Sequence, residues 1–354
     1  MKIGLLTGGR WHLQPYLFLK KKKLSIVIFD DDKTCFLAKK FSLNTFDLKS
    51  ASSKKFKDLF FWSPVSDVGS ALADNLNKKN FNKRSLIFKN GIFDKTKFLK
   101  KIKIDKKKKY FIKSKSGSGS KNISIWKGLK FDKTKFYLEE IYKGIELSIE
   151  VLSRNSNHSI LAASIRILVK KKSAAAIILF PEILKKKMIV DQVLKKLKVI
   201  NVKNGISHIE CILTPNGKIQ FFDINLRCGG FGISDYLVSK SLKINLYKID
   251  FEVLTNKFKQ KPRFDLKKYG FLFYFSNQNY HFKKKINFFK KKYSYIKLKK
   301  VKNSMNQEID GSRTALLYGH FKSKTKLFYF LKKSLKSKTY KKVKDTYKLI
   351  NSLN

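Results

Sequence analysis

Glu210 and Asp223 flank the turn Thr214-Pro215-Asn216-Gly217, within a run from Gly205-Ile206-Ser207-His208-Ile209-Glu210 to Phe222-Asp223-Ile224-Asn225-Leu226-Arg227. The run reads as a β-hairpin. With an even loop centred between Asn216 and Gly217, Glu210 faces Asp223. Asn225 then shares their face, opposite His208, by the two-residue period of a strand. Opposed carboxylates repel unless a cation lies between them, and an all-oxygen donor set beside a phosphate substrate suits Mg²⁺. Arg227, on the same face, is placed to clamp a phosphoryl group in transfer. Pro215 leaves open a three-residue loop with a bulge, which would break this register. A surface hairpin with lysine-paired acids is the plainer alternative.

Two earlier runs carry related chemistry. Lys113 ends a strand from Tyr110 and leads into Ser114-Lys115-Ser116-Gly117-Ser118-Gly119-Ser120-Lys121-Asn122. Small residues let backbone N–H groups cradle phosphate, and a strand lysine can neutralise it. No Gly-Lys-Ser or Gly-Lys-Thr step opens a helix, so this is not a P-loop, and a flexible linker reads equally well. In Leu138-Glu139-Glu140-Ile141-Tyr142-Lys143-Gly144-Ile145-Glu146, acids cluster around a glycine in a chain otherwise rich in lysine. One reading is a hinge whose backbone edge pairs with a purine while Glu146 accepts from ribose hydroxyls. The other is an edge strand whose acids pair with neighbouring lysines.

The elements that must position these groups follow from periodicity. Lys2 to Leu6, Thr7-Gly8-Gly9, an apolar helix near Gln14 to Lys22 and Leu24 to Phe29 make a βαβ opening. Gly8 and Gly9 serve either a ligand at the carboxyl end of the first strand or a tight turn. Ser66 to Lys89 reads as mostly helical, with a boundary near residue 77. Strands are expected near Ser124 and over Phe136 to Ile141, Ile145 to Leu152 and Ala162 to Val169. A helix is expected over Ile189 to Leu197. Further strands are expected at Phe271 to Phe275 and Thr314 to His320, with a lysine-rich helix from Thr325.

The 354 residues are 43% apolar, which excludes wholesale disorder and supports two or three domains. Lysine and arginine number 80 against 25 acids, for a formal charge of +55, but only seven are arginines and the lysines are scattered. That distribution fits compositional drift better than a nucleic-acid reading surface, which concentrates charge and uses arginine forks. Salt-sensitive polyanion binding is expected, with no specific nucleic acid. Cys35, Cys211 and Cys228 form neither a disulfide framework nor a metal-ligand spacing, as suits a reducing, cytoplasmic location. The opening stretch is too short for a signal-peptide core, and Ser173 to Pro181 too short for a bilayer, so no membrane partner is expected.

In order and spacing, the three runs resemble the ATP-grasp superfamily, most closely its carboxylate-amine ligase branch, related to amino-acid ligases and biotin carboxylase-like enzymes. Gly205, His208 and Glu210 match a Gly-x-x-His-x-Glu pattern of that branch, and Arg227-Cys228-Gly229-Gly230 also looks like it. The resemblance implies an α/β fold of the α+β ATP-grasp kind, with mainly antiparallel sheet after the opening domain. An N-terminal Rossmann-like βαβ domain would span 1–77. A central ATP-grasp subdomain with the phosphate loop would span 78–145, and a second with the metal hairpin and a basic tail 146–354.

By the same resemblance Lys113, Ser118, Gly119 and Ser120 would bind the phosphates of ATP. Glu140 and Tyr142 would offer hinge backbone, and Glu146 would hold the ribose. Glu210, Asp223 and Asn225 would hold Mg²⁺ (or Mn²⁺), and Arg227 would act in catalysis. The implied activity is an ADP-forming ligase that activates a small-molecule carboxylate as an acyl phosphate and couples it to an amine. A homodimer is compatible with it. A carboxylase that phosphorylates bicarbonate is the alternative on the same fold, and a basic polyanion-binding protein on an inactive scaffold is the alternative outside enzymes. The sequence departs from the branch at Asp223, where glutamate is usual, and at Asn122, where glycine commonly follows the loop. The earlier ATP lysine falls on either Lys79 or Lys83. Acceptor specificity is expected from the Gly8-Gly9 region, Arg154 or Arg166, and the segment before Glu210.

Overall fold

A computed structural model describes residues 1–77, 81–85, 104–105, 108–114, 123–169, 173–259, 269–276, 296–300, 313–335 and 337–353. The chain opens with β1 (Lys2–Leu6), α1 (Leu13–Lys21), β2 (Ser25–Phe29), α2 (Phe36–Phe41), β3 (Thr45–Phe46), β4 (Phe60–Trp62) and α3 (Asp67–Leu76). The four strands pair in parallel in the order β3-β2-β1-β4, as the βαβ opening predicts. Gly8 is shaped by packing: a Cβ there would overlap the Cys35 sulfur, and its N–H donates to Asp30 Oδ2 at 2.5 Å. The tight-turn reading therefore accounts for this glycine.

The helix expected over 66–89 ends at Leu76. Residues 81–85 are instead non-helical, and Ser85 bridges to Val202. A buried acceptor stops the helix from continuing. The Asp74 carboxylate accepts from the Arg84 N–H at 2.9 and 2.8 Å and from the Ser85 N–H at 3.1 Å. Burial pushes the Asp74 carboxyl up to about 6, against the pull of those N–H groups.

A small antiparallel sheet of order β6-β5-β7 follows, formed by β5 (Tyr110–Ser114), β6 (Ser124–Ile125) and β7 (Phe136–Glu140). The rest is built on a larger antiparallel sheet: β8 (Ile145–Arg154), β9 (Asn157–Val169), β10 (Ser173–Leu179), β11 (Gly205–Leu213), β12 (Ile219–Asn225), β13 (Tyr269–Ser276), β14 (Lys297–Lys300) and β15 (Arg313–Phe321). Their order is β12-β11-β8-β9-β10-β13-β15-β14. Helices α4 (Lys187–Val199), α5 (Ser239–Leu242), α6 (Leu246–Leu254), α7 (Lys324–Ser334) and α8 (Ser337–Ser352) complete the order. No described helix is long and apolar enough to cross a membrane.

The two faces of this sheet differ because the sequence alternates. On β8, Ile145, Leu147, Ile149 and Val151 enter one core with Ala163, Ile165 and Ile167 of β9. Ile189, Val193 and Leu197, four residues apart on α4, cover that face together with Leu327, Phe330 and Leu331 of α7. Each fully buried branched side chain contributes roughly 1.5–3 kcal/mol. The opposite face takes Glu146, Ser148 and Glu150 of β8 and Ser164 and Arg166 of β9, by the same two-residue period. Beyond these polar residues a second apolar cluster joins Ile3, Leu5 and Trp62 of the parallel sheet to Leu161, Ile177 and Leu179 of the large one.

Candidate active site

The hairpin β11–β12 carries the acids in the expected register by an unexpected route. Glu210 pairs with Asp223, and His208 with Asn225. The loop is three residues, however: Thr214 N–H donates to Lys218 O at 2.9 Å, and Gly217 takes φ +79°. Near the turn Cys211 therefore pairs with Phe221, one residue off the even-loop register, and a bulge at Phe222 restores it before Asp223. A one-residue slip turns every side chain over, so the bulge returns Asp223 to the face of Glu210. Asn225 Nδ2 donates to Asp223 Oδ2 at 3.0 Å.

Strand pairing then lines up a charged layer. Glu210 sits opposite Ser148, Glu146 opposite Arg166, and His208 opposite Glu150. The Arg166 guanidinium forms an ion pair with Glu210 and lies 3.1 Å from Glu146. His208 bonds Glu150 Oε1 through Nδ1 at 2.6 Å and approaches Glu210 Oε1 through Nε2 at 3.3 Å. Burial disfavours charge on Glu210, but Arg166 and His208 together hold its carboxyl well below the usual range. Burial likewise raises the Glu146 carboxyl, with Arg166 opposing. The resemblance implied no ion-pairing role for Arg166. Its signal lies in one arginine set among the alternating apolar residues of β9, across the Arg154–Asn157 turn from Glu146.

Burial works against a proton on His208, yet Glu150 and Glu210 outweigh it and bring the imidazole up to about 9, from 6.5 in the free residue. A raised value means the folded state binds the proton more tightly. The resulting stability is complete below pH 6.5 and is lost as pH rises through about 9. Urea unfolding across that range should show wild type and His208→Gln converging as pH rises. A gap independent of pH would contradict the charged state of His208.

Lys113 Nζ lies 2.6 Å from Glu139 and 5.4 Å from the centroid of the Phe222 ring, so the small sheet faces the hairpin bulge. Lys113 also acts electrostatically on Glu146. Glu140 pairs with Lys108 at 2.9 Å and accepts from the Tyr142 hydroxyl at 3.2 Å. Glu139 and Glu140 thus stand on an edge strand with lysine partners, just before the link to β8. Ser118, Gly119, Ser120, Asn122 and Lys79 lie outside the described residues. Lys83 is exposed.

Arg227 closes the layer toward the parallel sheet. It donates to Asp67 through Nε at 2.7 Å and Nη2 at 3.2 Å, and through Nη1 to Cys228 O at 3.0 Å. Asp67 is the first residue of α3, and the Cys228 N–H donates to Pro64 O at 2.9 Å. Buried His12 is pushed down to about 3, first by desolvation and then by Arg227. Neither Asp67 nor His12 was singled out from sequence, because each gains its role from a partner far along the chain.

Among the described residues no group of three or more His, Cys, Asp or Glu is arranged to hold a metal ion. The donor set still fits Mg²⁺. This ion takes one or two carboxylates together with substrate phosphates rather than an all-protein cage, and Glu210, Asp223 and the Asn225 amide supply hard oxygens on one strip of sheet.

No family model and no curated protein matches the chain. Solved structures do. Phosphoribosylglycinamide synthetase from Anaerococcus prevotii aligns over 94% of this chain and 97% of its own, at 13% identity and a TM-score of 0.63. N5-carboxyaminoimidazole synthetase from Staphylococcus aureus, complexed with ADP, aligns over 94% and 98%, at 12% identity and a TM-score of 0.62. L-amino acid ligase from Bacillus licheniformis aligns over 94% and 96%, at 14% identity and a TM-score of 0.54. The alignments run along nearly the whole length of each chain, and the chain has the ATP-grasp fold of these structures.

Proposed function

We propose that this protein is an ATP- and Mg²⁺-dependent ligase that activates a carboxylate as an acyl phosphate and couples it to an amine, releasing ADP and phosphate. The observation that carries this reading is the paired Glu210 and Asp223, with Asn225 beside them and Lys113 over the Phe222 bulge. Lys113 would bind the phosphates of ATP, with Ser118, Gly119 and Ser120 in the adjoining loop. Backbone at Glu140 and Tyr142 would meet the base, and Glu146 the ribose. Glu210, Asp223 and Asn225 would hold the metal ion, which when bound neutralises phosphate charge.

A carboxylate oxygen attacks the γ-phosphorus as the bond to ADP breaks. The amine then attacks the acyl carbon, and phosphate leaves with the former carboxylate oxygen. The protein supplies position and countercharge, and no side-chain nucleophile is needed. Arg227, braced by Asp67, would steady the developing charge. The buried free cysteines suit a reducing, cytoplasmic setting.

Pooled carboxylates and amines, screened for ADP release, should identify a productive pair. With that pair, a carboxylate labelled with heavy oxygen should yield labelled phosphate. AMP as product would contradict the reading, and phosphate release dependent on bicarbonate alone would redirect it to a carboxylase.

A further inference from the structure

Glu150 is 1% exposed on a central strand of the large sheet, and none of the roles above uses it. Its two oxygens go to different arms of the site. Oε1 holds His208 Nδ1 at 2.6 Å, and His208 Nε2 in turn reaches Glu210. Oε2 accepts the Gly229 N–H at 3.3 Å, on the loop that follows Arg227. Two features of the backbone serve this contact. The β8–β9 pairing shifts between Glu150 and Val151, and such irregularities re-aim side chains. A Cβ at Gly229 would come within 2.6 Å of Glu150 Oε1 and 3.0 Å of His208 Nδ1, so only glycine lets the loop close onto the pair. A buried ion pair is a weak source of stability compared with well-packed apolar groups, which leaves geometry as what Glu150 contributes.

We infer that Glu150 is a positioning residue: one carboxylate that orients Glu210 through His208 and registers the Arg227–Gly230 loop through the Gly229 N–H. The inference rests on the functional reading above. It makes metal-dependent nucleotide binding depend on a residue that touches neither metal nor nucleotide. A glutamine at this position has one acceptor oxygen and one donor amide, so it cannot accept from both arms as the carboxylate does.

The test is calorimetric titration of the full-length protein with ADP, with and without Mg²⁺. Glu150→Gln should weaken the Mg²⁺-dependent part of ADP affinity about 10- to 100-fold, as outer partners of metal ligands do, and leave Mg²⁺-free ADP binding unchanged. A purely structural role would lower the folded fraction and leave the affinity of the folded molecules untouched. Glu150 and Glu210 share no contact of their own, so a cycle with Glu210→Gln isolates their coupling. The double variant should bind MgADP no more weakly than Glu210→Gln alone.

If Glu150→Gln does not fold, Gly229→Ala carries the test, since its methyl presses on Glu150 and His208 without removing charge. It should show the same selective loss. Wild-type MgADP affinity in the folded variants, or independent effects in the cycle, would overturn the inference alone. A wild-type protein that binds no MgADP would overturn the functional reading and this inference with it.

Discussion

Asp250→Ala is expected to be the most destabilising single substitution tested in this protein, costing about 3–5 kcal/mol, because it leaves a buried arginine without its counter-charge. Arg84 and Asp250 are 1% and 0% exposed on their side chains. Their two bonds measure 2.7 and 2.6 Å, and Asp250 also accepts from Trp62 Nε1 at 2.8 Å and the Ile206 N–H at 2.8 Å. One carboxylate therefore joins β4, residues 81–85, α6 and the start of β11. Alanine would orphan the guanidinium and both further donors. Arg84→Met should cost less, since Asp250 keeps those two donors. The pair Arg84→Met with Asp250→Leu should fall between them, having no stranded charge but two unmet N–H groups. Denaturant midpoints test this order, and equal stability of Asp250→Ala and wild type would remove the pair from the account. A net stability of 5–15 kcal/mol makes the predicted loss a large share of the whole. Gly205 is part of the same lock: its φ is +94°, and a Cβ would meet Arg84 Nη1 at 2.6 Å.

Glu210→Gln should reduce ATP turnover about 10²- to 10³-fold, the several kcal/mol that a metal ion supplies to charge stabilisation in the transition state. The fold should survive, because Arg166 retains Glu146 and His208 retains Glu150. Lys113→Ala should act differently. On the proposed reading its amine would meet phosphate in the ground state as well as during transfer, so ATP affinity should fall more than kcat. On the same reading Arg227→Ala should mainly lower kcat, through a contact that would strengthen as charge develops. Steady-state kinetics with the substrate pair found by ADP release would separate the three. A Glu210→Gln enzyme of undiminished kcat would take Glu210 out of the site.

Local sequence determined a good deal. The two-residue alternation in β8, with Ile145, Leu147 and Ile149 against Glu146, Ser148 and Glu150, assigns one face to the core and one to the site, whatever lies beside it. The acids of the hairpin were legible for the same reason, although the register held only because the odd loop and the Phe222 bulge offset each other. Tertiary structure alone decided the partners. Arg166 meets Glu210 across the intervening strand β8, Arg227 meets Asp67 at the head of a helix 160 residues earlier, and Glu150 meets Gly229 over a span of 79. Periodicity is a property of neighbours in the chain and is written in any short window. A buried charge takes its partner from whichever segment the packed core brings alongside, and that choice appears only when the sheets close.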